Sequence, residues 1–391
     1  MWAGNAWRAA LSEVPCGRSA QSVLAQLRGI LEREPEGIHR AGTWKSERVI
    51  TSRQEPHIHV DGVSGGINLC ANNYLGLSSH PEVIQAAGLS SVRFIRGTQS
   101  IHKNLEAKIA RFHQREDAIL YPSCCDANTG LFEALLTPED AVLSDELNYA
   151  SIIHSICLCK AHKYHYRHLD VADLEAKLQE AQKHWLCLVA TDGAFSMDGD
   201  IVPPQICHLA SRYGALVFVD ECHATGFLGL TVQGTDELLG VMGQVTIISS
   251  TLGKALRGAS GGYTTGPGPL PYLFSNSLPP AVGCASKALD LLMESNTIVQ
   301  SMAAKTQWFC SMIEAAGFTV SGASHPIHPV MLGDAQLTSH ERHLCHWIQL
   351  PVVSKGKAQI WVQISALHSE EDIDCHVEAI VEVGRLYRAL P

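Results

Sequence analysis

Two short motifs constrain this chain most: Asp220-Glu221-Cys222-His223 and Ser250-Thr251-Leu252-Gly253-Lys254. Each follows an apolar run, Ala215-Leu216-Val217-Phe218-Val219 before the first and Val245-Thr246-Ile247-Ile248 before the second. Short apolar runs bounded by turn residues read as buried strands of a parallel sheet, whose two faces are covered by helices. Open α/β sheets gather ligands at the carboxyl ends of their strands. The two motifs therefore predict one crevice shared by a carboxylate, an imidazole and a primary amine. Taken singly, an Asp or a Lys after a strand is more often a surface loop residue; the constraint comes from the combination.

That trio suits pyridoxal phosphate (PLP). Lysine forms a Schiff base with the aldehyde, and aspartate keeps the pyridine nitrogen protonated so that the ring accepts electrons. Histidine covers the phenolic oxygen. Pro122-Ser123-Cys124-Cys125-Asp126-Ala127-Asn128, between a strand over 118–121 and a helix near Gly130, adds a small-residue turn whose unpaired N–H groups make a phosphate cradle.

Along the rest of the chain, 58–60 and 67–69 flank Asp61-Gly62 as a hairpin. A polar-aromatic turn, Asn72-Asn73-Tyr74-Leu75-Gly76-Leu77, follows. A helix is predicted over 102–116, with Leu105, Ile109 and Phe112 on one face. Strands over 141–144 and 188–192 continue the alternation, and Tyr149 opens a helix between them. This is the pattern of a doubly wound, mostly parallel sheet. Helices over 285–293 and 303–316, followed by short strand-like runs, predict a smaller α+β C-terminal domain. The expected divisions are 1–31 leader, 32–80 N-terminal arm, 81–283 large domain and 284–391 small domain.

Composition narrows the partners. A formal net charge of −10 without a basic stripe argues against nucleic acid, and no apolar run approaches the roughly 18 residues of a membrane span. Thirteen scattered cysteines, with no paired C-x-x-C spacing, predict reduced thiols. Arg8, Arg18 and Arg28 lie in an opening stretch rich in Ala and Ser and nearly free of acid, which reads as a mitochondrial transit peptide and places the protein in the matrix. Two histidine clusters, His162/His165/His168 and His340/His343/His346 with Cys345, read as solvated faces rather than metal sites. No metal is expected.

On these residues the chain resembles the α-oxoamine synthases, PLP enzymes of the aspartate-aminotransferase fold (fold type I). The resemblance rests on Cys70 to Leu77, Gly97 to Glu106, Asp192 to Gly199, Asp220 to Gly226, Ser250 to Leu256 and Tyr272 to Ser277. It implies that Lys254 holds the cofactor and moves the glycine α-proton, and that Asp220 pairs with the pyridine nitrogen. His223 and Ser196 would hold the phenolic oxygen. Cys124, Cys125 and Thr251 would form the phosphate cradle, joined by Ser275 and Asn276 from the neighbouring subunit of a homodimer with shared active sites. Tyr149 would stack on the ring, and Asn72, Tyr149 and Trp361 would face the substrate. The implied reaction joins glycine to acetyl-CoA, giving 2-amino-3-oxobutyrate and CoA, and serves threonine breakdown. Another member activity, such as 5-aminolevulinate synthesis, is the alternative.

The sequence departs from that pattern at named places. Trp361 stands where an arginine grips the substrate carboxylate, and one neutral N–H donor replaces a charged fork. Tyr149 replaces a histidine, Cys125 an aromatic and Arg257 a glycine. Segments are short near 84–90 and 268–271, and 334–351 no longer resembles the family. These departures keep open a non-catalytic, PLP-binding relative.

Overall fold

The computed structural model describes residues 57–60, 63–67, 100–256, 260–267, 279–320, 327–331, 346–348 and 359–386. Strands β1 (His57–Val60) and β2 (Val63–Ile67) form the predicted hairpin. Its second strand starts directly after Asp61-Gly62, earlier than expected.

A seven-stranded sheet dominates, in the order β3-β9-β8-β7-β6-β4-β5. Its strands are β3 (Asp117–Tyr121), β4 (Ala141–Asp145), β5 (His162–Tyr166), β6 (Cys187–Asp192), β7 (Leu216–Asp220), β8 (Ile247–Thr251) and β9 (Gly262–Gly266). The run from β8 through β7, β6 and β4 to β5 is parallel. Only β9 is antiparallel to its two neighbours, β8 and β3. The central strands are apolar because helices cover both faces: Val217, Phe218 and Val219 are at most 2% exposed, each worth about 1.5–3 kcal/mol of burial.

Helices alternate with these strands. They are α1 (Ser100–Phe112), α2 (Cys124–Leu135), α3 (Ala150–Leu158), α4 (Val171–Ala181), α5 (Gln205–Arg212) and the single turn α6 (Thr235–Leu238). Helix α1 ends four residues before the predicted Glu116. Gln114 takes a left-handed φ of 54°, which turns the chain into β3. Leu105, Ile109 and Phe112 are buried on one face as the spacing predicts.

Helices α7 (Pro279–Glu294) and α8 (Thr297–Ala315) follow. Val282, Ala285, Leu289 and Leu292 of α7 pack in the same core as Leu105 and Ile109 of α1. A second, antiparallel sheet has the order β10-β12-β11, from β10 (Ile327–Met331), β11 (His346–Ile348) and β12 (Gln359–Gln363). It shares a separate core with α8 and α9 (Glu370–Leu386), built on Phe309, Ile313, Val330, Val362, Ile373 and Val377. No helix among the described residues is long and apolar enough to cross a membrane.

Candidate active site

Strand β7 presents Asp220 as its last residue, and the carboxylate is buried at 2% exposure. Its Oδ2 accepts from Asn128 Nδ2 at 2.9 Å, and its Oδ1 from the Cys222 backbone N–H at 2.9 Å. The Cys124 thiol lies 3.6 Å from Oδ2. Asn128 is itself fixed: Nδ2 donates to Ser151 Oγ at 3.0 Å, and its Oδ1 accepts from Ser249 Oγ at 2.6 Å. Helix α2, helix α3 and strands β7 and β8 are thus tied around one carboxylate.

The parallel register sets Asp192, the last residue of β6, beside Asp220. Burial, and next the charge of Asp220, push the Asp192 carboxyl well above the usual range. A buried carboxylate beside another raises the cost of ionising Asp192. Asp192 Oδ2 accepts from the Tyr149 backbone N–H at 2.6 Å, which anchors the start of α3.

Lys254 lies three residues past the end of β8. Its Nζ is 2.6 Å from His223 Nε2 and 5.8 Å from the centroid of the Tyr149 ring. His223 is reached because the chain turns sharply after β7. Gly226 closes that turn at φ 93°, and a Cβ there would lie 2.5 Å from Ala255 Cβ, next to Lys254. The glycine lets the two motifs approach.

Helix α2 points its first turn into the same region. Ser123 caps it, accepting from the Asp126 N–H at 3.0 Å. Gly262 of β9 runs against this cap so closely that a Cβ would overlap the Cys124 backbone nitrogen and the Ser123 carbonyl carbon. Cys124 is half-buried and Cys125 exposed; partial burial pushes the Cys125 thiol up. Thr251 Oγ1 donates to the Gly261 carbonyl at 3.2 Å and accepts from the Gly253 N–H at 3.1 Å, so the hydroxyl shapes the loop leading to Lys254. Ser196 is buried in the turn that follows β6.

The structure therefore brings together Asp220, His223, Lys254, Tyr149 and Cys124. Asn72, Arg257, Ser275 and Asn276 lie outside the described residues. Trp361 sits in β12 opposite Pro329 and His346, and its side chain is outside the description. The sequence reading missed Asn128, Asp192, Ser249 and Cys222. Asn128 carried one signal, since it lies one helical turn past Cys124 on the face of α2 that meets the sheet.

Of the histidine clusters, His162 and His165 are exposed as expected. His168 instead bonds Asp145 at 2.9 Å. His346 stands in strand β11, so the helical spacing of the second cluster does not describe it; His340, His343 and Cys345 lie outside the described residues.

PLP presents an aldehyde, a pyridine nitrogen, a phenolic oxygen and a phosphate. A lysine amine beside an imidazole, a buried carboxylate held by two donors, and a capped helix N-terminus match those four groups in kind. A mostly parallel sheet carrying this set at its strand ends defines a PLP-dependent enzyme of fold type I.

The family model for aminotransferase class I and II matches residues 64–380. The human mitochondrial 2-amino-3-ketobutyrate coenzyme A ligase is 79% identical, over 100% of both chains. That pairing runs over 419 positions for a chain of 391 residues, which leaves 28 positions unmatched here, in line with the shortened segments read from the sequence. The Escherichia coli 2-amino-3-ketobutyrate coenzyme A ligase is 47% identical over 91% of this chain and 96% of its own. A solved structure of SPT with PLP superposes with a TM-score of 0.87 at 24% identity, over 95% of this chain and 100% of that one. The chain belongs to the class I and II aminotransferase family and, within it, to the family of the 2-amino-3-ketobutyrate coenzyme A ligases.

Proposed function

We propose that the chain joins glycine to acetyl-CoA, giving 2-amino-3-oxobutyrate and CoA, and runs the reverse reaction in threonine breakdown. The carrying observation is Lys254 Nζ at 2.6 Å from His223 beside the buried Asp220, in a chain 79% identical to a relative of that name. PLP is the cofactor, and when bound it supplies an electron sink for a carbanion at the glycine α-carbon.

The chain's own residues divide the remaining work. Asp220 would hold a proton on the pyridine nitrogen; the Asn128 and Cys222 donors keep its carboxylate oriented for that contact. His223 lies beside the amine of Lys254 and would bond the phenolic oxygen. Lys254 would hold the cofactor through its aldehyde, and its amine would take the glycine α-proton as general base. Tyr149 would cover one ring face. The first turn of α2, at Cys124 and Cys125, would bind the phosphate through backbone N–H groups, which would tolerate the loss of an aromatic at Cys125.

Ser196 is assigned to the phenolic oxygen and Thr251 to the phosphate side, while Asn72 and Trp361 are assigned to the substrate. Enzymes of this fold are typically dimers, and Ser275 and Asn276 are assigned to a phosphate in the partner's site. The division at 283/284 falls within α7, and we retain it as the boundary between the large and small domains. The protein is mitochondrial, as its mammalian relatives are named, and we place it in the matrix.

The test is CoA release from acetyl-CoA, followed by chromatography with purified, PLP-loaded protein. Release that requires glycine and is lost in Lys254→Ala supports the reading. Glycine-independent hydrolysis, or none in a folded PLP-loaded protein, refutes it.

A further inference from the structure

Two cysteine thiols that the proposed reaction does not use meet beside Asp220. Cys222 Sγ lies 3.0 Å from Cys124 Sγ, although the residues are 98 apart in sequence. That is about an ångström beyond the ~2.05 Å of a disulfide bond, a gap that small side-chain rotations close. The pair forms because Cys124 opens α2 while Cys222 follows β7, and the Asp220–Asn128 bond draws those two elements together. Among the described residues, no other pair of thiols is joined by a hydrogen bond. Cys125, although adjacent to Cys124, is exposed and turned to solvent.

We propose that Cys124 and Cys222 are a modification site, oxidised by hydrogen peroxide to a reversible disulfide. Cys124, the more exposed of the two, reacts first. Its thiolate attacks one peroxide oxygen; an S–O bond forms, the O–O bond breaks, and hydroxide leaves to become water. Cys222 then attacks the sulfenic sulfur; the S–S bond forms, the S–O bond breaks, and the departing hydroxide takes the remaining thiol proton as a second water. Two thiols are oxidised and one peroxide is reduced to two waters. Burial, and then the bond to Cys124, push the Cys222 thiol well above its ordinary range, which suits the resolving role better than the first attack.

The bridge would lie against the Asp220 carboxylate, since Cys124 Sγ is already 3.6 Å from Oδ2. It would also restrain the first turn of α2. Oxidation thereby closes the pocket to PLP. This consequence rests on the proposed role of Asp220; the bridge itself does not.

The test uses the full chain freed of PLP. It is treated with hydrogen peroxide, blocked with iodoacetamide, digested without reductant and read by mass spectrometry. The expected result is a peptide pair joining Cys124 to Cys222 that dithiothreitol separates. The pair should be absent from Cys124→Ser and Cys222→Ser and retained in Cys125→Ser. PLP absorbance should fail to develop in the oxidised chain and return after reduction. Recovery of both cysteines as alkylated thiols, or a Cys124–Cys125 link, overturns the proposal. A Cys124–Cys222 link that leaves PLP binding intact overturns only the blocking consequence and the role of Asp220 behind it.

Discussion

Asp220→Asn preserves the shape of the side chain and removes its charge. In the native site both carboxylate oxygens accept, one from Cys222 N and the other from Asn128 Nδ2, each at 2.9 Å. An amide offers one oxygen and one NH2 group, so one of those buried donors must face another donor. The contact to a protonated pyridine nitrogen loses its charge as well. A charge-assisted hydrogen bond is worth about 1.5–3 kcal/mol, which converts to roughly 10- to 150-fold weaker PLP binding. The assay is equilibrium dialysis read by visible absorbance, with CoA release measured at saturating PLP. Turnover should fall further than affinity, because the ring nitrogen no longer stays protonated. The neighbouring Asp192 should titrate lower, since the Asp220 charge helps to raise it. A folded Asp220→Asn protein with wild-type PLP affinity and turnover would refute the assignment.

Three further outcomes follow from the same geometry. Burial, opposed by bonds from Thr235, raises the Glu221 carboxyl from about 4.5 to about 8. The native state therefore holds a proton that the unfolded state releases, so stability is present below about pH 4.5 and is lost as pH rises to about 8, by up to about 5 kcal/mol; Glu221→Gln should flatten that slope in denaturant titrations at several pH values. Gly262→Ala should drive a Cβ into the Ser123–Cys124 backbone, lowering Tm and weakening phosphate retention together; an unchanged melt would contradict the close approach. Trp361→Arg should restore a charged grip on the glycine carboxylate and lower the glycine KM roughly 10- to 150-fold, and a KM that does not fall would remove Trp361 from the substrate site.

The sequence was most legible where burial and chemistry coincide. Apolar β7 ending in Asp220 could be read directly, because a parallel strand buried on both faces leaves a continuous hydrophobic signature. The apolar run before Lys254 stops at Ile248, yet strand β8 continues through Ser249 and Ser250 to Thr251. Those serines are polar but buried, with Ser249 donating to Asn128 and both paired in register with β9. Strand β9 itself went unread: Gly-Tyr-Thr-Thr-Gly carries no apolar run, and its place between β8 and β3 is set by tertiary packing. Lys254, His223 and Asp220 were legible because strand ends at neighbouring sheet positions must converge. Asn128 and Asp192 were not, since their roles depend on which helix faces which strand and on register. The meeting of Cys124 with Cys222 is a contact of the same long-range kind.

The most direct measurement is the visible absorption spectrum of the purified protein with PLP during a glycine titration. A working site gives a band that Lys254→Ala abolishes and that glycine shifts saturably. A band indifferent to glycine, or one that survives Lys254→Ala unchanged, would contradict the claim that Lys254 and Asp220 form a working glycine site.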